Sequence, residues 1–349
     1  MRLDNPFFSK ACAAFFCACL FPLCCFGLGY GPFDIRLRTV MPEKEAELEA
    51  CGMFSVSGDE GFYVPMAASG RILAMSRIGS PYRIAAVDTE DGSILGEYLT
   101  DCEMSSIFSE CQYRVEAGNL LLYLHDFIGS KFCSLDLTES VRIGSGVAVP
   151  LGKIPDGVTS VTFLSDSANL LYRISRDGTG FLEKIGPDGN ILESSELFPE
   201  AGFPMLKTLL ACRLSPDAGG TKAAIAMTFL PVLGIIDLPS GEIRYVQYET
   251  DFDTERVFRG FYESGEYPGD EFVSRLFTND HVVCIVRTCL SDSDDDRTEV
   301  LLFGWDGTFR YRFCIGKTFT STALDFRDSV LYGGEGQSMV YVYGLNGCL

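Results

Sequence analysis

The sequence predicts an all-β chain folded as a six-bladed β-propeller with four-stranded blades, its ring closed by a strand from the N-terminal part. Three observations predict it. One phrase, an apolar run that enters a short polar turn ending in Gly and leaves as another apolar run, recurs six times. The chain between copies breaks into short runs rich in β-branched and aromatic residues, bounded by Gly, Pro or Asp. Between those runs there is no amphipathic segment of the ~10–15 residues that a parallel α/β fold would need.

Composition agrees and narrows the function. At 349 residues, 47% hydrophobic and 22% charged, the chain is globular and long enough for a sizeable core, while 36 Gly and 15 Pro indicate many turns. The 28 Lys+Arg against 48 Asp+Glu leave a net charge of −20. Such a chain repels phosphate backbones and anionic lipid, so nucleic acid is excluded as a partner and a membrane is engaged only through an N-terminal lipid or anchor.

The first element is residues 1–29, read as an export signal or anchor preceding a single domain at 30–349. Arg2, Asp4 and Lys10 are followed by an uncharged stretch from Ala11 to Phe33, broken by Pro22 and thinned by Gly27, Gly29 and Gly31, which fits a signal-peptide core better than a spanning helix. Cys12, Cys17, Cys19, Cys24 and Cys25 lie in it. Cys19, after Ala18, is the candidate for lipidation as the first mature residue; the alternative is a plain signal or anchor whose cysteines are small apolar residues. Nine further cysteines are scattered singly with no C-x-x-C pair, so buried free thiols are expected rather than a disulfide framework or a zinc ribbon.

The second element is FDIRLRTV (33–40), in which Ile35 and Leu37 alternate with Arg36 and Arg38. It is expected to supply the outermost strand of the last blade, antiparallel to Met339–Tyr343, with FSVSG (54–58) as the alternative. The third, EKEAELEAC (43–51), reads as a short surface helix. The repeats follow: IAAVDTEDGSIL, FCSLDLTESVRI, FLEKIGPDGNIL, LGIIDLPSGEIR, LLFGWDGTFRYR and VYVYGLNGCL. Their turn residues are Gly92, Ser140, Gly189, Gly241, Gly307 and Gly347, spaced 48, 49, 52, 66 and 40 residues apart. VVCIV (282–286) and NLLLYL (119–124), apolar on both faces, are expected as middle strands; FRYRF (309–313), with alternating Phe/Tyr and Arg, as a half-buried outer strand. Because only two residues follow Gly347, the sixth repeat lacks its outermost strand, which a segment outside the repeats must supply.

VLLFGWDGTFRYRFCIG followed by TALDFRDSVLYGGEG resembles the TolB-like six-bladed propeller families found among exported proteins and lipoproteins of Bacteroidetes. The resemblance extends over about residues 50–349 and rests on turn signals. It implies the fold and an exported, cell-envelope location in periplasm or outer membrane, and supplies no catalytic residues.

No catalytic motif is present: no G-x-S-x-G, no H-E-x-x-H and no phosphate loop, since GGTK (219–222) has the wrong spacing. His125 and His281 are expected at a turn or strand edge. SDSDDDR (291–297) lacks the Gly and terminal Glu of a calcium loop and reads as solvated, so neither metal nor cofactor is expected. The longest interval carries an insertion, ETDFDTERVFRGFYESGEYPGDE (249–271), which with 291–297 holds −9 of the −20 and is expected on the same face of the disc. Its aromatics include Phe252, Phe258, Phe261, Tyr262 and Tyr267; the candidate binding residues are Phe258, Arg259, Tyr262, Tyr267, Asp294 and Asp295. The function expected is a monomeric, non-catalytic module that binds a protein, peptide or glycan at the cell envelope. The alternative is a propeller hydrolase or lyase with a metal or carboxylate site at the central channel, for which LDFRD (324–328) is the place to look.

Overall fold

Six sheets arranged in a ring account for the strands of the computed structural model, a six-bladed β-propeller as the repeats predict. The described residues are 37–57, 62–78, 83–99, 111–126, 131–155, 157–175, 180–197, 211–254, 256–257, 271–290, 296–336, 338–345 and 347–349, all within the unit Phe33–Leu349. The chain begins with three short strands, β1 (Leu37–Thr39), β2 (Lys44–Glu47) and β3 (Gly52–Ser55). Blade 1 is β4 (Phe62–Ser69), β5 (Ile72–Ile78), β6 (Arg83–Asp88) and β7 (Ile94–Tyr98), and blade 2 is β8 (Cys111–Glu116), β9 (Asn119–Asp126), β10 (Lys131–Asp136) and β11 (Val149–Lys153). Blade 3 is β12 (Val158–Ser165), β13 (Ala168–Ile174), β14 (Gly180–Ile185) and β15 (Ile191–Leu197), and blade 4 is β16 (Cys212–Pro216), β17 (Lys222–Met227), β18 (Val232–Asp237) and β19 (Ile243–Gln247). Blade 5 is β20 (Arg275–Thr278), β21 (Val283–Cys289), β22 (Arg297–Phe303) and β23 (Phe309–Ile315); blade 6 is β24 (Ser321–Asp325), β25 (Val330–Glu335) and β26 (Met339–Gly344), completed by β3.

Each blade runs outward from its first strand, and the first strands of neighbouring blades meet around the axis: β4 with β8, β12 with β16, β16 with β20, β20 with β24, and β24 with β4. The apolar core lies between blades. Six buried clusters correspond to the six seams: Leu73 and Val87 of blade 1, for example, pack on Tyr332 and Val340 of blade 6, and Ile235 and Leu233 of blade 4 pack on Phe303 and Phe309 of blade 5. Val283–Val286 and Leu122–Leu124 of the second strands are nearly inaccessible, as expected for strands apolar on both faces.

Five of the six repeated turns join the third and fourth strands of a blade or follow the third, with Gly92, Gly189, Gly241, Gly307 and Gly347 at φ between +66° and +83°. That left-handed conformation favours glycine. Gly92 has a second constraint: a Cβ there would stand 2.3 Å from the Ser55 carbonyl of β3. The exception is blade 2, where Ser140 lies not in a tight turn but in a helix, α1 (Leu137–Ile143). Asp136 caps it by accepting from Glu139 N at 2.8 Å, and Gly144 ends it at φ +72°.

The N-terminal strands correct two expectations. Residues 33–40 do not close the ring: Leu37–Thr39 lie parallel to Tyr245–Gln247 on blade 4, and Ile35 is outside the described residues. Closure comes from β3, antiparallel to Met339–Val342. The outermost strand of blade 6 must be antiparallel to β26 and lead directly into β4, which only the segment just before β4 can do. The expected helix over 43–51 is also absent, since Lys44–Glu47 run parallel to Tyr311–Cys314 as a fifth strand on blade 5. A helix this short is marginal alone, whereas the edge of β23 offers partners: Glu43 N donates to Phe309 O at 2.9 Å and Leu48 N to Cys314 O at 2.8 Å. FRYRF is therefore covered and is not the outer edge.

Candidate functional site

The first strands converge on the axis of the ring. Where these strands end, on the face carrying the repeated turns, a cavity of about 320 Å³ opens at the axis. Five blades supply its wall, and its floor is Tyr113 of β8. The Tyr113 hydroxyl reaches across from blade 2 and donates to Leu324 O of blade 6. Its ring meets Phe277 of blade 5 at 6.2 Å, edge-on, and Phe326 of blade 6 at 6.3 Å. Beside it Gln112 Nε2 donates to Leu214 O of blade 4 at 2.5 Å, and Leu214 N donates to Ser160 Oγ of blade 3. These cross-axis bonds turn the channel mouth into a blind bowl. Farther along, Arg275 Nη2 donates to Ser321 Oγ, which donates to Pro65 O, linking blades 5, 6 and 1.

The side wall is equally committed. Arg114 donates to Phe163 O at 3.1 Å, its guanidinium lying 5.1 Å from the Phe163 ring, which stacks on Tyr123 at 4.4 Å. Thr278 Oγ1 donates to Pro216 O at 2.6 Å and so accepts from Ser215 Oγ at 2.7 Å. Burial pushes the Tyr123 phenol up to about 12, with Glu116 adding to the rise, and pushes Tyr113 well above its ordinary range. Both are neutral donors at any physiological pH. Glu116 and Asp280 stand exposed on the rim and make no ion pair among the described residues. The loop bearing Asp280 is held by the WDG turn: Trp305 Nε1 donates to Asn279 O at 2.8 Å.

The acids of LDFRD are used by the backbone. Asp325, fully buried, accepts from Gly70 N at 2.6 Å and Arg327 N at 2.8 Å, joining blade 6 to the first turn of blade 1. Burial raises its pKa, opposed by those N–H donors. His281 lies in an exposed turn, its N–H donating to Asn279 Oδ1, as expected; His125 instead is buried within β9, edge-on to Phe132 at 6.5 Å. The eight described cysteines are free thiols.

Cys19, Phe258, Arg259, Tyr262, Tyr267, Asp294 and Asp295 lie outside the described residues. The root of the insertion is described, and there Phe252 packs on the blade, edge-on to Phe272 at 5.1 Å. Gln247 binds the root through Glu249 O, Phe252 O and the Thr254 hydroxyl. Sequence reasoning missed Tyr113, Phe277 and Phe326. The available signal was position: CQYRVE and SRLFTN begin their blades, so alternate side chains there face the axis.

No family model matches the chain, and no curated protein sequence matches it. Among solved structures it is similar to a DUF4221-family protein of Bacteroides vulgatus, with TM-score 0.52 and 10% identity over 85% of this chain and 97% of that one. A Bacteroides fragilis protein named as exported gives TM-score 0.52 and 8% identity over 87% and 99%. The Raptor protein of Chaetomium thermophilum, of which this chain spans only 29%, gives TM-score 0.49 and 12% identity. At such identities the likeness is one of fold. No described helix is long and apolar enough to cross a membrane.

Proposed function

We propose that the protein is a non-catalytic binding propeller of the TolB-like kind, exported to the bacterial cell envelope, that takes its ligand at the mouth of the central channel. The observation that carries this reading is the blind, aromatic-floored bowl whose buried polar groups are already bonded to one another across the axis. Catalysis inside the channel would need a buried group left available for proton transfer or attack, whereas Asp325, the buried acid there, is taken up by the N–H groups of Gly70, Arg327 and Asp328, and Glu116 and Asp280 stand in solvent on the rim. Export of the similar Bacteroides fragilis protein and the uncharged N-terminal stretch support the location. Within it, Cys19 is the proposed lipid attachment point, and the acidic insertion with residues 258–267 and 294–295 is a proposed accessory surface.

A photo-crosslinking residue placed at Ala218 on the bowl's edge tests the site in intact cells. A discrete adduct, absent when the same residue is placed at the exposed Arg244 on β19, is the expected result. No adduct from the bowl, with an adduct when the same residue is placed in the 258–267 segment, would move the site to the insertion. Labelled fatty acid incorporated by the natural chain and lost in Cys19→Ala is the expected outcome for the anchor; no label in the natural chain overturns it.

A further inference from the structure

We infer that the bowl is a receptor for an organic cation, an alkylammonium or guanidinium group of the kind carried by lysine, arginine or a quaternary amine. The inference rests on the proposed binding site and adds its chemistry. Three rings, Tyr113, Phe277 and Phe326, come from three blades and meet with centroids 6.2 and 6.3 Å apart about Tyr113. The half-buried Tyr113 and Phe326, backed by the buried Phe277, give the cavity an aromatic floor, and aromatic rings attract a positive charge, more strongly when the cation is desolvated in a recess. Tyr113 and Phe326 keep part of their surface open, and both line the cavity of about 320 Å³. That volume lies at the low end for ligand sites, enough for one side chain or a small amine.

The charges at the cavity wall select the sign. Its lining includes two carboxylates, Glu116 and Asp280, and one base, Arg114. Arg114 is held flat on Phe163 and bonded to the Phe163 carbonyl, so its charge is fixed along the wall. The carboxylates are exposed and carry no hydrogen bond or ion pair among the described residues. An anionic ligand would meet two carboxylates against one guanidinium and a ring quadrupole of the wrong sign. A neutral one would gain only the apolar contact. The hydroxyls of Ser215 and Thr278 are already directed to each other and to Pro216 O, leaving little that would select a sugar.

Calorimetry on the full chain tests this with tetramethylammonium and with three pentapeptides of sequence Gly-Gly-X-Gly-Gly, X being lysine, norleucine or glutamate. The lysine peptide is expected to bind at least 10-fold tighter than the norleucine peptide, with no binding of the glutamate peptide and weakening as salt rises. Tetramethylammonium binding as tightly as the lysine peptide would assign the site to free amines; a tighter peptide would assign it to a protein side chain. Phe326→Ala, and separately Glu116→Gln with Asp280→Asn, are expected to weaken cation binding about 10-fold with an unchanged melting temperature. Equal affinity for lysine and norleucine peptides, both lost in Phe326→Ala, would overturn the cation while leaving the bowl as a binding site. Cation binding untouched by either variant would overturn the bowl itself, and no binding of any probe would overturn the cation receptor.

Discussion

Asp325 and Glu299 are both inaccessible carboxylates, yet their surroundings shift them in opposite directions. For Asp325, burial outweighs the N–H donors of Gly70, Asp328 and Arg327, and its pKa rises above 3.8. A raised carboxyl binds its proton more tightly when folded, so its contribution is greatest below pH 3.8 and declines as pH climbs through the folded value. Asp325→Asn keeps an acceptor for the turn at Arg327 but directs an NH₂ group at Gly70 N. Thermal denaturation should show a loss of about 1.5–3 kcal/mol at pH 7, the range for a hydrogen bond to a charged group. The advantage of the natural residue should shrink as pH rises from 3.5 toward 7. Glu299 is also penalised by burial, but Arg287, bonded to Oε2 at 2.5 and 2.8 Å, with Arg312 nearby and Arg297 donating to Oε1 at 2.9 Å, brings it below 4.5. Its contribution is complete above pH 4.5 and is lost as pH falls through the depressed value. Arg287 also reaches Glu249 at 2.5 Å, so this cluster ties blade 5 to the chain leaving blade 4. Arg287→Met takes the partner from Glu299 Oε2 but leaves Arg297 on Oε1 at 2.9 Å, so it should cost less than about 3–5 kcal/mol, the range for stranding a buried charge outright. Urea midpoints should then fall less on acidification than those of the natural chain, and Glu299→Gln in the same molecule should recover part of the loss. Acid sensitivity unchanged by Arg287→Met would show that Glu299 draws its stabilisation from elsewhere.

Three N-terminal strands make unequal contributions at the scale of elements. Removing β1 and the residue after it loses the packing of Leu37 at the seam of blades 3 and 4 and of Val40, 8% exposed, at the seam of blades 4 and 5. Burial of one such side chain is worth about 1.5–3 kcal/mol. A chain beginning at Glu43 should therefore remain folded with a modestly lower urea midpoint. One beginning at Val56 also loses β3, which pairs with β26, packs Phe54 against the seam of blades 6 and 1, and lies against Gly92. It should expose an unpaired edge and associate, visible as light scattering at low denaturant. Equal midpoints for the two chains would show that β3 is dispensable. These elements mark where the sequence was legible. The repeated turns were, because φ near +70° demands Gly and spacing reports blade length. The partner of a short edge strand was not: alternation in FDIRLRTV fixes which side chains face inward but not which of six similar edges they face. EKEAELEAC has helix-forming residues, and only the open edge of β23, a tertiary fact, makes it a strand. In blade 2, Asp136, Glu139 and Gly144 were readable as helix cap and stop signals, but the repeat pattern masked them. The bowl was illegible for a third reason: its rings are 49 to 213 residues apart in sequence and meet only because the ring brings first strands together.

At the scale of the molecule, closure decides whether the blades unfold as one. An open array of repeats has stability close to a sum of repeat and neighbour terms, and its ends fray first. Here β3 and β4 are neighbours in sequence but lie in blades 6 and 1, so every seam is filled and there is no end blade. Asp325 adds a second tie at that seam, and the cross-axis bonds of Tyr113 and Gln112 join blade 2 to blades 6 and 4. Opening one blade therefore strips apolar surface from two others. Buried thiols in different blades report this directly: Cys111 in blade 2, Cys212 in blade 4 and Cys284 in blade 5. Burial holds the Cys111 thiol up at about 12 and Cys284 higher still, so neither reacts as thiolate while folded. Cys51, exposed beside the closing strand, should be alkylated under native conditions. In pulse alkylation across a urea series, read by mass spectrometry, Cys111, Cys212 and Cys284 should become reactive at a single urea concentration. In a chain beginning at Val56 the seam of blades 6 and 1 is open, and in its soluble fraction the three should separate, Cys284 of blade 5 and Cys111 of blade 2, each in the second blade from the break, reacting before Cys212 of blade 4. Three separate midpoints in the full chain would mean that the blades unfold independently and that closure supplies shape without cooperativity.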